Sequence, residues 1–192
     1  MTEESPPGPR VIEAFQGYSP SFHVDCLIHE MLREVPSRLL WGLHSVVLTN
    51  AAALSRKERK RKGLGHPRMA LEKALAYYSQ AWMGEPARIV ILLDNIENQW
   101  SGLWWRFEFI RSWALSEIFL HEMGHHIHRV HRPEFADKEN VAEEWSLKLS
   151  GRFLRNRYWY LKAVLTPVAL IVGLGQEMTK LLRRIWRKGK VK

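Results

Sequence analysis

Cysteine is almost missing from this chain of 192 residues, where Cys26 stands alone. A single thiol excludes an internal disulfide framework and a zinc cluster built from several thiolates. No basic-then-apolar leader opens the sequence. Residues 1–9 are polar and proline-rich, so export by a signal peptide is not expected and a cytoplasmic setting is. No internal repeat has the period of a solenoid. Long apolar runs are missing too: residues 163–174 are interrupted by Pro167 and fall short of the roughly 18–20 a bilayer-crossing helix needs. Acidic residues are outnumbered, 20 against 29 Lys and Arg, which leaves a formal charge of +9.

What the chain does contain is enough apolar material for a core, 46% of residues with nine Trp among them. We expect a flexible N-terminal segment at 1–20, one domain at 21–157, and an apolar segment with a basic tail at 158–192. The positive charge gathers at 56–68 and 181–192. Such runs favour an anionic partner, nucleic acid or acidic lipid, although a solvated loop is the plainer reading of the first. Tyr158-Trp159-Tyr160 on one side of the C-terminal apolar stretch and Arg183-Arg184 on the other imitate a membrane interface. Membrane association through that segment and a buried or partner-covered helix are both open readings.

Periodicity supplies the elements. Val24, Leu27, Ile28, Met31 and Leu32 recur at three and four, predicting a helix over 22–35 that ends before Pro36. The β-branched stretch 43–49 reads as a strand, 75–82 as a second, and 87–94 as a third. A long helix is expected over 109–131, broken by Arg132-Pro133. Asp137 can cap the next helix, whose apolar stripe is Val141, Ala142, Trp145, Leu149 and Phe153. Trp41, Trp104 and Trp105 are read as core or groove-lining aromatics.

The long helix carries His121-Glu122-Met123-Gly124-His125. Residues four apart on an α-helix lie one above the other, so two imidazoles at that spacing can grip one zinc ion. Glu122, next to the first histidine, is then placed to take a proton from water that the ion has acidified. A catalytic zinc site wants three protein ligands and one open position. Glu139 is the candidate for the third, brought back by a helical hairpin around Pro133. Glu143, one turn on, is placed to hydrogen-bond a ligating histidine. His131 is a rival ligand, six residues after His125, and Glu143 and Glu144 are others. His126 and His128 read as surface or partly buried helix residues. A donor for a developing oxyanion is left open among Tyr158, Tyr160 and His126.

The pair His121-Glu122-x-x-His125 and Glu139-x-x-Ala142-Glu143 resembles the gluzincin class of zinc metallopeptidases. That class commonly has Asp where this chain has Glu143. The compact order of elements over 22–153 resembles the minigluzincin and ImmA/IrrE-like peptidases. The resemblance implies an α+β, zincin-like domain. A small three-stranded sheet would pack against the His-Glu-x-x-His helix and a following ligand-bearing helix. It further implies a Glu ligand, here Glu139, and a substrate that pairs along the strand before the metal helix, residues 87–94. Metzincins instead place their third histidine where His131 stands, but need Gly at position 128. His128 favours a helix that continues. The expected function is a zinc-dependent endopeptidase acting on protein or peptide substrate, with Glu122 as general base and then acid. The alternative is a zinc-organised binding or regulatory module without proteolytic activity, held to nucleic acid or membrane by its basic segments.

Overall fold

A computed structural model describes residues 8–60, 70–100, 102–131 and 137–160. The chain divides into two units, Met1–Phe153 and Leu154–Lys192. The basic stretch beyond residue 60, the Arg132-Pro133 break and the segment from 161 to the C-terminus lie outside the described residues. Among the described residues no helix is long and apolar enough to cross a membrane.

The first unit is mixed α+β. Its elements run β1 (Arg10–Ala14), α1 (Val24–Glu34), β2 (Leu43–Thr49), α2 (Arg56–Arg59), β3 (Ala76–Ser79), β4 (Ala87–Leu92), α3 (Leu93–Gln99), α4 (Glu108–His131) and most of α5 (Lys138–Arg157), whose residues 154–157 belong to the second unit. Among the described residues the sheet has four strands rather than the three expected, in the order β1-β2-β4-β3. The added strand comes from the stretch read as a flexible lead-in. β1 and β4 both run parallel to β2, while β3 pairs antiparallel with β4.

β1 is held less by burial than by polar clasps. The Asn50 side chain accepts from the Gln16 N–H and donates to the Gln16 carbonyl, each at 2.9 Å. The Thr49 hydroxyl donates to the Ala14 carbonyl at 2.7 Å. The Asn50 amide thus stands in for one more rung of a strand ladder.

The two sheet faces are covered differently. Val46, Leu48, Ile89 and Ile91 are fully buried and lie side by side in register. Tyr78 pairs with Ile89 and shares that face, and its ring meets His126 of α4. This is therefore the face against which the long helix packs. Leu115, Phe119, Leu120, Met123 and Ile127 supply the helix side of the contact at spacings of three and four. The opposite face carries Val90 and Leu92 under Leu54, with Val47, Ala51 and Tyr77 around them.

The connection between β3 and β4 is a tight turn. Trp82 and Glu85 exchange backbone hydrogen bonds at 3.0 and 2.9 Å, with Met83 and Gly84 at φ of 47° and 87°. β3 and β4 are thereby fixed as a hairpin; among the described residues β3 is a terminal strand and β4 an internal one. The expectation that residues 87–94 offer an edge for pairing is overturned: β2 and β3 occupy both sides of β4. The same segment is also shorter as a strand than expected, because Leu93 and Asp94 already belong to α3.

Candidate metal centre

His121 and His125 stand one turn apart on α4, with ring centroids 4.8 Å apart and planes at 84°. Glu139 reaches them from the first turn of α5. Its Oε2 lies 3.7 Å from Nε2 of each histidine. Ligand atoms held about 2.0–2.1 Å from a tetrahedral zinc stand roughly 3.3–3.4 Å from one another, so these spacings are within a few tenths of an ångström of that shape. Among the described residues, the three side chains bring their ligand atoms within 4.8 Å of one another. Two imidazoles and one carboxylate leave a fourth position open. This donor set suits zinc.

Two local features place Glu139. The Asp137 carboxylate accepts from the Asn140 N–H at 3.1 Å, the capping contact expected at the start of α5. Further along, Gly124 of α4 meets Ala142 of α5 so closely that a Cβ on Gly124 would sit 2.6 Å from the Ala142 Cα. Glu139 is three residues before Ala142, so this contact presses its turn against the histidine pair. The Ser146 hydroxyl then donates to the Glu117 carbonyl at 3.3 Å, a second stitch between the helices. The motif's second variable position is thus occupied by glycine for a steric reason.

Glu122 points elsewhere. Its residue is half-buried and its carboxyl end is crowded by protein, which pushes its pKa up to about 7. The backbone N–H of Tyr78 on β3 donates to that carboxylate and partly opposes the shift, and Glu139 raises it slightly. His125 is held down to about 4 by burial and by His121 beside it. Neutral imidazole is the form that binds a metal.

The rival ligands are not in this group. α4 runs on through His128 to His131, as a histidine at 128 implied, and His131 ends the helix exposed. Glu143 and Glu144 are exposed on α5 and lie outside the cluster. His126 is not a surface residue: it is fully buried. Its Nε2 lies 3.1 Å from the Trp41 carbonyl and its Nδ1 3.2 Å from the Tyr78 hydroxyl. A carbonyl only accepts, so Nε2 carries the proton and donates to it. Nδ1 then accepts from the Tyr78 O–H. Burial holds the pKa of His126 down to about 4, consistent with that neutral ring. Both nitrogens are spent, so His126 is no oxyanion donor. Tyr158 and Tyr160 fall in the second unit.

The tryptophans divide. Trp105 is buried against Phe22, with ring centroids 5.8 Å apart, whereas Trp41 and Trp104 are largely exposed. No family model, curated protein or solved structure matches this chain.

Proposed function

We propose that this chain is a zinc-dependent metallopeptidase of gluzincin type. The observation that carries the reading is the meeting of His121, His125 and Glu139 across two helices, beside a half-buried glutamate, Glu122, that stands outside that group. When bound at these three residues, zinc supplies Lewis acidity to a carbonyl and to water. Glu122 takes a proton from the attacking water and returns it to the leaving amine. A carboxyl brought by burial to about 7 is matched to that exchange near neutral pH.

Substrate orientation falls to β3 instead of the strand first expected. In an antiparallel pair, the N–H and C=O of alternate residues face opposite sides. The Leu75 carbonyl accepts from Leu92 N–H, so odd-numbered residues here face β4, while Ala76 and Tyr78 face the open side. An extended peptide pairing through Ala76 and the Tyr78 carbonyl lies beside Glu122, whose carboxylate takes the Tyr78 N–H. The plain α+β architecture supports a zincin-like arrangement in which α4 and α5 bear the ligands.

The test is Glu122→Gln. It should keep one zinc per chain, measured by equilibrium dialysis, and lose peptide cleavage by about 10²–10⁴-fold, the usual worth of a general base. Cleavage retained by that variant would sink the peptidase reading and leave zinc as an organiser of a binding surface.

A further inference from the structure

The metal helix carries two overlapping pairs at a spacing of four. His121 and His125 face Glu139 of α5. Glu122 and His126 are the second pair, and both engage Tyr78 of β3. Residues four apart share a helix face, so the second pair forms its own gripping surface, about a quarter-turn from the first. Tyr78 is held at two points: its main-chain N–H donates to Glu122, and its hydroxyl donates to His126. The opposite nitrogen of His126 donates to the Trp41 carbonyl. Gly42, beside Trp41, is required by its backbone conformation and not by crowding. It takes φ of 82° at the entry to β2, and the place where its Cβ would sit is 3.9 Å from the His126 ring and from Val130.

Resting on the peptidase reading, we propose that the Trp41–His126–Tyr78 chain of hydrogen bonds positions the open edge of β3 over Glu122. His126 and Tyr78 are positioning residues for an extended peptide substrate. Among the described residues Ala76–Ser79 is a short strand with one partner, so its outer edge has little of its own to hold it against the helix. A fully buried imidazole with both nitrogens committed fixes that edge to the element bearing the catalytic glutamate. Displacing β3 by a fraction of an ångström would misalign a paired peptide with Glu122 while leaving the faces of His121 and His125 untouched.

Two sets of variants test this. Tyr78→Phe removes only the hydroxyl. His126→Asn keeps an acceptor where Nδ1 stands and drops the donor to Trp41, whereas His126→Leu drops both. For an extended peptide, Tyr78→Phe should raise KM roughly 3- to 10-fold, the fold-change of one net hydrogen bond. Zinc affinity should stay within about twofold, while kcat falls along with the rise in KM, because misalignment with Glu122 is felt in the transition state. His126→Asn should lie closer to the parent KM than His126→Leu. Deuterium uptake by residues 76–79, read by mass spectrometry, should rise in Tyr78→Phe and His126→Leu. A lowered melting temperature with unchanged KM would show a merely structural tie and overturn the proposal. Wild-type protein that binds zinc and cleaves no peptide would retire the peptidase reading and the positioning role with it. Unchanged uptake in β3 would separately overturn the tie itself.

Discussion

Replacing Gly124 with alanine adds one methyl group, and that methyl would stand 2.6 Å from both the Cα and the carbonyl oxygen of Ala142, and 3.0 Å from its carbonyl carbon. These are backbone atoms of a packed helix, so no side-chain rotation relieves the clash. Restoring ordinary contact requires α4 and α5 to part by about 1 Å, and overpacking of that kind costs about 1–3 kcal/mol. Alanine in a helix interior returns about 1 kcal/mol of propensity, which offsets part of the loss. Gly151 on α5 is the internal control, because a Cβ there meets nothing within 4 Å. Gly151→Ala should therefore stabilise by about 0.5–1 kcal/mol, raising the melting temperature by a few degrees. Gly124→Ala should lower it. The larger effect falls on the metal. Glu139 rides on the displaced turn, and ligand distances tolerate only about 0.2 Å. Zinc affinity should drop about 10- to 100-fold, the range seen when ligand orientation is disturbed. Competition with a chromophoric chelator reads the affinity. Adding Ala142→Gly should not restore it, because the clash is with backbone and not with the Ala142 methyl. A Gly124→Ala protein that binds zinc as tightly as the parent would refute the close helix crossing as the source of the site's geometry.

Further outcomes follow from individual side chains. Glu139→Gln should fold normally by circular dichroism and lose zinc at least about 100-fold, because one of three ligands is weakened. Metal-free protein should lose stability as pH falls from about 6.5 toward 4, because His125 and His126 are both held neutral in the fold and must take up protons when it unfolds. The His126 share is on the order of 3 kcal/mol, checked by urea unfolding between pH 7.5 and 4.5. His126→Leu should lessen that dependence and leave the His125 share. Glu122 acts with the opposite sign: raised to about 7, it binds its proton more readily when folded and adds stability as pH falls toward 4.5. Glu122→Gln should accordingly make the acid loss steeper in the same titration.

The parts legible in the sequence were those whose signal is local and periodic. The apolar positions of α1 and α4 recur at three and four, and all of the stripe from Val24 to Leu32 is buried as that pattern requires. The spacing of His121 and His125 carries its own geometry, and Asp137 announces the start of α5. β1 escaped because Arg10-Val11-Ile12-Glu13-Ala14 buries little and takes its hold from Asn50, a residue 34 positions away from Gln16. α3 escaped because it begins at Leu93 directly from β4, with no side-chain cap at Leu92 to mark the change. Which strand lies at the edge is a property of the pairing order and not of any one segment. That is why β4 read as an edge and is internal. His126 read as incidental because its partners, Trp41 and Tyr78, lie 85 and 48 residues away. One signal was available: it stands four residues after Glu122, as His125 does after His121.

The central claim is that one metal ion is held by residues of both α4 and α5. X-ray absorption at the zinc edge of the zinc-loaded protein tests it most directly. Two imidazole nitrogens and two oxygens should lie near 2.0–2.1 Å, with one oxygen shell component lost in Glu139→Ala. A spectrum with three imidazoles, or one unchanged by Glu139→Ala, would contradict it.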